Sequence, residues 1–200
     1  MQDLDDKSLM LQFQADGDPQ AFEEVFRRNK DSLFRFLLRL SGNVAVAEDI
    51  SQHAWLRVIE LAEAGRYAAD ESASFRTFLF TLARNRYIDK EQRSHESTHT
   101  QSFEQTSESL NDRSDDEILA PELLAAASQV SALLDEALCS LPPEQREIMA
   151  WWIQGVDLVE VARITGVSWA TLVSRKKYAL KKIRTFLEQA GVRQVNDVIA

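Results

Sequence analysis

The stretch VDLVEVARITGVSWATLVSRKKYALKKI, residues 156–183, leaves few alternatives to two helices joined by a tight turn. Asp157 offers a side-chain acceptor to the free amides of a short helix bearing Val161, Ala162 and Ile164. Gly166 permits the turn, and Ser168 caps a second, longer helix. Along that helix Leu172, Ala179, Ile183 and Phe186 form an inward stripe. Thr171, Ser174, Arg175, Tyr178 and Lys182 then face outward. This is the grammar of a helix-turn-helix, whose second helix can enter a major groove with its first residues near base edges and its later cations near phosphates. A plain helical hairpin with a solvated basic face fits the same periodicity.

Helical spacing continues through most of the chain. Asp18 and Pro19 form a cap and first-turn pair ahead of AFEEVFRRNKDSLFRFLLRL, in which Phe22, Val25, Phe26, Leu33, Leu37 and Leu40 build one apolar stripe. Ser41 to Asn43 interrupt the pattern, and a second helix follows with Ala47, Ile50, Ala54, Val58 and Leu61 inward and Glu48, Gln52 and Glu60 outward. Gly65 is a plausible stop, residues 66–74 read as a loop, and helical spacing resumes through Phe75, Phe78, Leu79 and Leu82. Farther on, helices are predicted at about 143–154, 158–165 and 168–190. With four prolines, six glycines and few β-branched runs in 200 residues, the class is all-α. A hydrophobic content of 44% supports two small helical domains.

Between them the composition changes. Residues 94–128 carry one basic and eight acidic groups among Ser, Thr and Gln, with too little apolar surface to offset the entropy of ordering, so they read as a flexible linker. The net charge of the chain is −9, yet residues 75–93 sum to +3 and residues 174–200 to +5. Two short basic islands in an acidic chain are candidate footprints for a polyanion. Cys139 is the only cysteine, which rules out an intramolecular disulfide and a cysteine-rich metal site. The acidic start MQDLDDKSLM lacks a signal peptide's basic and apolar regions, and no apolar run approaches a membrane span. A cytoplasmic protein without stable membrane insertion is expected.

The linker contains HESTH, His95 to His99, a literal match to the zinc-protease pattern H-E-x-x-H. That chemistry needs both imidazoles on one helix face, a glutamate beside metal-bound water and a rigidly held third ligand. The polar Ser/Thr-rich surroundings argue against it, and the remaining histidine, His53, lies in another predicted helix. No catalytic residue, metal site or cofactor is assigned.

Two parts of the chain resemble a known family. LPPEQREIMAWWIQGVDLVEVARITGVSWATLVSRKKYALKKI is similar to region 4 of bacterial RNA polymerase sigma factors of the extracytoplasmic-function (ECF, group IV) class in the sigma-70 family. DPQAFEEVFRRN, AEDISQHAWLRVIE and SFRTFLFTLARNRYIDKEQR, in that order, resemble region 2. The resemblance implies region 2 over 8–93, a linker over 94–128, region 4 over 129–190 and a tail over 191–200. It further implies a dissociable specificity subunit. Region 2 would bind the clamp coiled coil of core RNA polymerase and read the melted −10 element as single strand. Region 4 would dock on the polymerase flap and read the −35 element as duplex. An anti-sigma factor commonly holds such proteins inactive.

Carried over residue by residue, the resemblance implies polymerase contacts at Glu48, Asp49 and Gln52, which fall within one helical turn. It implies −10 contacts among Tyr67, Phe75, Arg76, Thr77, Arg84, Asn85 and Lys90, with Phe75 and Phe78 also fitting a core role. Tyr67, on a loop, and Asn85, polar on a helix, are the preferred base contacts. The −35 candidates are Ser168, Trp169, Thr171, Ser174, Arg175, Lys177 and Tyr178. Where the family often has basic residues this chain has Val173 and Tyr178, and of the adjacent Trp151 and Trp152 one is expected to fill the core. The alternative function is a helix-turn-helix regulator that binds duplex DNA without polymerase. The acidic linker either tethers the domains or lies in a polymerase channel.

Overall fold

Side-chain caps and left-handed glycines set most helix boundaries in a computed structural model that describes residues 4–67, 74–97 and 132–192. Regular structure in these residues is helical throughout. The chain divides into two compact units, one within residues 1–105 and one within 106–200. The first holds α1 (Asp6–Asp16), α2 (Pro19–Ser41), α3 (Val44–Glu63) and α4 (Phe75–Ser97). The second holds the helical residues 132–139, here α5, with α6 (Pro143–Ile153), α7 (Leu158–Thr165) and α8 (Trp169–Gln189).

Asp18 accepts the Gln20 amide at 3.0 Å with Pro19 in the first turn, as the sequence predicts. Between α2 and α3, Gly42 takes φ 67° and its amide donates to the Leu38 carbonyl at 2.7 Å. That left-handed residue ends one helix, and Asn43 starts the next by accepting the Val46 amide at 3.0 Å.

Two boundaries differ from expectation. Helix α1 was not anticipated; Asp5 caps it by accepting the Ser8 amide at 2.8 Å, and Leu9 and Met10 are buried. Helix α4 runs to Ser97, so the polar segment does not begin with loss of helix at 94, and the first three residues of HESTH lie on helical backbone. Thr98, His99 and the rest of the expected linker lie outside the described residues, as does the expected tail beyond 192.

In the first unit Phe36 and Phe80 stack with ring centroids 5.0 Å apart, joining α2 to α4 among buried Leu33, Leu37, Ile50, Val58 and Leu79. Burial of this apolar surface is the main favourable term in the unit's stability. The α2 stripe is wider than this core. Phe26 is 37% exposed and Phe22 half-buried, although both share the apolar spacing of Leu33 and Leu37. In the second unit Ala137, Leu138, Leu141, Met149, Ala179, Ile183 and Leu187 form the core, with Phe186 packed against it. Trp151 is fully buried.

Candidate nucleic-acid interface

Helix α8 is held by a three-residue turn behind α7. Asp157 accepts the Val159 and Glu160 amides, both at 2.8 Å, and Gly166 closes α7 at φ 70°. Ser168 then accepts the Thr171 amide at 3.2 Å, and its Oγ lies 2.8 Å from Thr171 Oγ1. Leu172, Ala179, Ile183 and Leu187 point into the unit. The helix therefore turns a fixed face outward: Trp169 is 56% and Tyr178 59% exposed, and Thr171, Ser174 and Lys177 are exposed beside them. Val173 and Arg175 are half-buried. Ser174 Oγ donates to the Ala170 carbonyl at 3.0 Å, which commits its proton and leaves an acceptor outward. Lys176, beside these candidates, places its Nζ 4.1 Å from the centroid of the half-buried Trp152 ring. Trp151 is thus the core tryptophan, and Trp152 is covered by a cation from α8.

In the first unit the candidates fall on three surfaces. Between α2 and α3 runs an apolar groove of about 670 Å³ walled by Phe22, Phe26, Phe34, Trp55, Leu56 and Ile59. Trp55 meets Phe22 and Phe26 edge-on, at centroid distances of 5.9 and 4.9 Å. Glu48, Gln52, Ser51 and Lys30 line the same groove. Glu48 and Gln52 thus belong to one surface, as i and i+4 residues of a helix should.

Asp49 lies at its edge. Its Oδ2 accepts from Lys90 Nζ on α4 at 2.7 Å, and one turn on, His53 Nε2 lies 3.3 Å from Arg86 Nη2. The Lys90 bond, ahead of any other influence, lowers the Asp49 pKa. Adjacent helical residues point about 100° apart. Glu48, Asp49 and Gln52 therefore span about 100° of one exposed helix face, with Asp49 on the edge held by Lys90 and Glu48 and Gln52 toward the groove. The structure also pairs an expected polymerase contact with an expected DNA contact.

The loop and α4 candidates are divided too. Tyr67 is not presented on the loop surface: it is 5% exposed, with its ring edge-on to Phe75 at 6.1 Å and Phe78 at 5.5 Å. Burial, then the fields of Asp5 and Asp6, push its hydroxyl up to about 12. Phe75, 2% exposed, belongs to the core. Arg76 is half-buried with its guanidinium carbon 5.2 Å from the Phe80 centroid, and desolvation lowers its pKa. Thr77 donates its amide to Ser74 Oγ at 3.1 Å, so these two residues build the start of α4. Asn85 is exposed, and its Oδ1 accepts from Arg84 Nη1 at 3.3 Å. Of the two preferred base contacts, Asn85 is accessible and Tyr67 is not.

The Tyr67 environment makes a pH prediction. Its folded pKa lies above the unfolded value, so its contribution is full below pH about 10 and is lost as pH rises through about 12. Absorbance titration of phenolate should show one of the three tyrosines ionising near pH 12. Tyr67→Phe should remove that step. A step retained in the variant contradicts the assignment.

The surface residues missed by sequence reasoning were Phe26 and Leu56. Phe26 reads as part of the α2 stripe and Leu56 stands outside the α3 stripe; Leu56 is 58% exposed and both line the groove. Among the described residues no helix is long and apolar enough to cross a membrane.

Residues 25–96 match the family Sigma-70 region 2. The chain is 30% identical to the ECF RNA polymerase sigma factor SigL of Mycobacterium tuberculosis H37Rv, over 80% of this chain and 85% of SigL. It is 27% identical to ECF RNA polymerase sigma factor SigW of Bacillus subtilis, over 83% and 90% of the two chains. Against RNA polymerase sigma factor CarQ of Myxococcus xanthus the identity is 30%, over 86% and 92%. The fold is similar to that of the sigma factor RpoE crystallised with the anti-sigma factor NepR from Bartonella quintana. That match has a TM-score of 0.58 at 20% identity, covering 84% of this chain and 98% of the other.

Proposed function

The chain belongs to the ECF class of RNA polymerase sigma factors, and from that premise we propose how its surfaces divide the work of promoter recognition. The α2–α3 groove, with Glu48 and Gln52 on its lining, receives the clamp coiled coil of core polymerase. Exposed apolar walls with polar edges suit a helical partner. The basic face of α4 follows the single strand of the melted −10 element, with Asn85 placed to meet a base and Arg84 and Lys90 near phosphates. Helix α8 reads the −35 duplex through Trp169, Thr171, Ser174 and Tyr178, with Arg175 and Lys177 positioning it. Ser168 serves as cap, Tyr67 and Phe75 as framework, and Thr77 as the start of α4.

The observation that carries this reading is the outward face of α8 behind the α7 turn, where Trp169, Lys177 and Tyr178 stand exposed on a helix whose other side is core. The protein acts in the cytoplasm as a regulatory subunit without catalysis of its own. Domain roles follow as region 2 over 8–93, a linker over 94–128 whose first four residues continue α4, and region 4 over 129–190. Like the RpoE solved with NepR and the CnrH solved with the cytosolic domain of CnrY, it would be restrained by an anti-sigma factor. Run-off transcription with core polymerase on genomic fragments tests the function. Discrete transcripts that need this chain support it, and their absence on every promoter sinks it.

The Asp49–Lys90 pair bears on DNA binding by the free protein. Neutralising Asp49 releases Lys90 to phosphate, and exposed pairs are worth at most about 1 kcal/mol, so Asp49→Asn should raise low-salt affinity for single-stranded DNA by up to about fivefold. In a Lys90→Gln background the same change should do almost nothing. Fluorescence anisotropy reads both. An equal gain in the two backgrounds would show that net charge, not the pair, is responsible. The Asp49 carboxyl is held below its ordinary value, so the pair stays intact at neutral pH and opens only as pH falls through that lowered value.

A further inference from the structure

Helix α1 has no part in the surfaces described so far, yet it reaches both flanks of the segment that leads into the −10 face. It packs against α2, α3 and α4. Asp6 fixes its start: Oδ1 accepts from Arg28 Nη1 at 3.1 Å and Oδ2 from Asn29 Nδ2 at 2.7 Å, while Arg28 Nη1 also donates to the Leu4 carbonyl at 2.8 Å. Asn29 is buried, and its amide donates again to the Val25 carbonyl at 2.9 Å. These bonds hold α1 on α2 and set the position of its last turn.

From that last turn Gln14 reaches across 53 residues of sequence. Its Oε1 accepts the Tyr67 amide at 2.9 Å in a part-buried site, and the same amide lies 3.1 Å from the Leu61 carbonyl. The Tyr67 amide therefore has a local partner that continues the end of α3 and a second partner that ties it to another helix. The local bond satisfies the donor, so the Gln14 bond chiefly sets direction. Tyr67 is followed, after a short segment, by Ser74 and α4, and its ring already rests on Phe75 and Phe78 of that helix. The field of Asp6 also reaches Arg76 in the first turn of α4.

We propose that Gln14 is a positioning residue for −10 recognition: it fixes the backbone at Tyr67, whose ring rests on Phe75 and Phe78, and so seats the first turn of α4 without touching DNA. The assignment rests on the reading of α4 as the −10 face. Gln14→Leu removes the acceptor at similar volume, whereas Gln14→Glu keeps an oxygen within reach of the amide.

The test is transcription by full-length protein and core polymerase on a promoter library randomised separately at the −10 and −35 elements, read by sequencing the transcripts. Gln14→Leu should weaken −10 preference by about fivefold, the scale of one hydrogen bond. The −35 preference and core affinity should remain, and Gln14→Glu should retain −10 preference. An unchanged −10 preference in Gln14→Leu overturns the proposal. So does equal loss of −10 and −35 preference together with a lowered melting temperature, which marks a merely structural role. No −10 preference in the wild-type holoenzyme would overturn the reading of α4 and this assignment with it.

Discussion

Leu56→Asp is expected to lower affinity for core polymerase by at least about tenfold while the protein stays folded. Leu56 is 58% exposed on the groove wall, so its side chain contributes little to the packing of the first unit. A carboxylate carried into an apolar interface must lose water without gaining a partner, which costs several kcal/mol and exceeds the roughly 1.4 kcal/mol of a tenfold change. Titration of labelled polymerase gives the affinity, and thermal melting is the control. Unchanged affinity with an unchanged melting temperature means that polymerase docks elsewhere. Leu33→Asp on α2 is the contrast, because that residue is fully buried and its substitution should unfold the unit instead.

Trp151→Ala has the largest expected effect in the second unit. The residue is fully buried on α6, and truncating a buried aromatic costs about 3–5 kcal/mol from lost burial and the cavity left behind. A unit this small has a stability near the low end of the usual range of about 5–15 kcal/mol. Amide hydrogens of α6, α7 and α8 should exchange much faster, and transcription that depends on the −35 element should collapse. Protection in α8 equal to that of the wild type would contradict a core role for Trp151. Trp152→Ala should be mild by comparison, since that ring is half-buried under Lys176.

Local chemistry was the legible part of this chain. Asp18 with Pro19, Asp157, Gly166 and Ser168 act within three or four residues of themselves, and all sit where the sequence places them. Helix α1 escaped because its faces are mixed. Leu9 and Met10 are buried, but neighbouring Leu11 is 41% exposed, Gln12 donates to Asp18, and Gln14 accepts from Tyr67, 53 residues away. The cap by Asp5 and the stop at Gly17 were the signals available. Phe26 shows a different limit: residues that close a core and residues that wall an open groove share apolar helical spacing, and only the packed structure tells one from the other. Tyr67 shows a third, since a residue in a connecting segment can still be folded inward when two phenylalanines from the next helix receive it. Asp49 is engaged by Lys90, a partner 41 residues away that its local spacing does not reveal.

The basic α8 in a chain of net charge −9 is consistent with DNA binding that depends on a second contributor. On the proposed function, the acidic remainder weakens salt-dependent attraction to arbitrary DNA, and polymerase supplies what the two proposed readers lack by holding both at promoter spacing. The measurement that tests this most directly is affinity for a promoter fragment and for an equal length of unrelated duplex, with and without core polymerase, across a range of salt. The account predicts weak binding without preference by the free chain and strong promoter preference once polymerase is added. Tight, sequence-specific binding by the free chain, unchanged by polymerase, would contradict it.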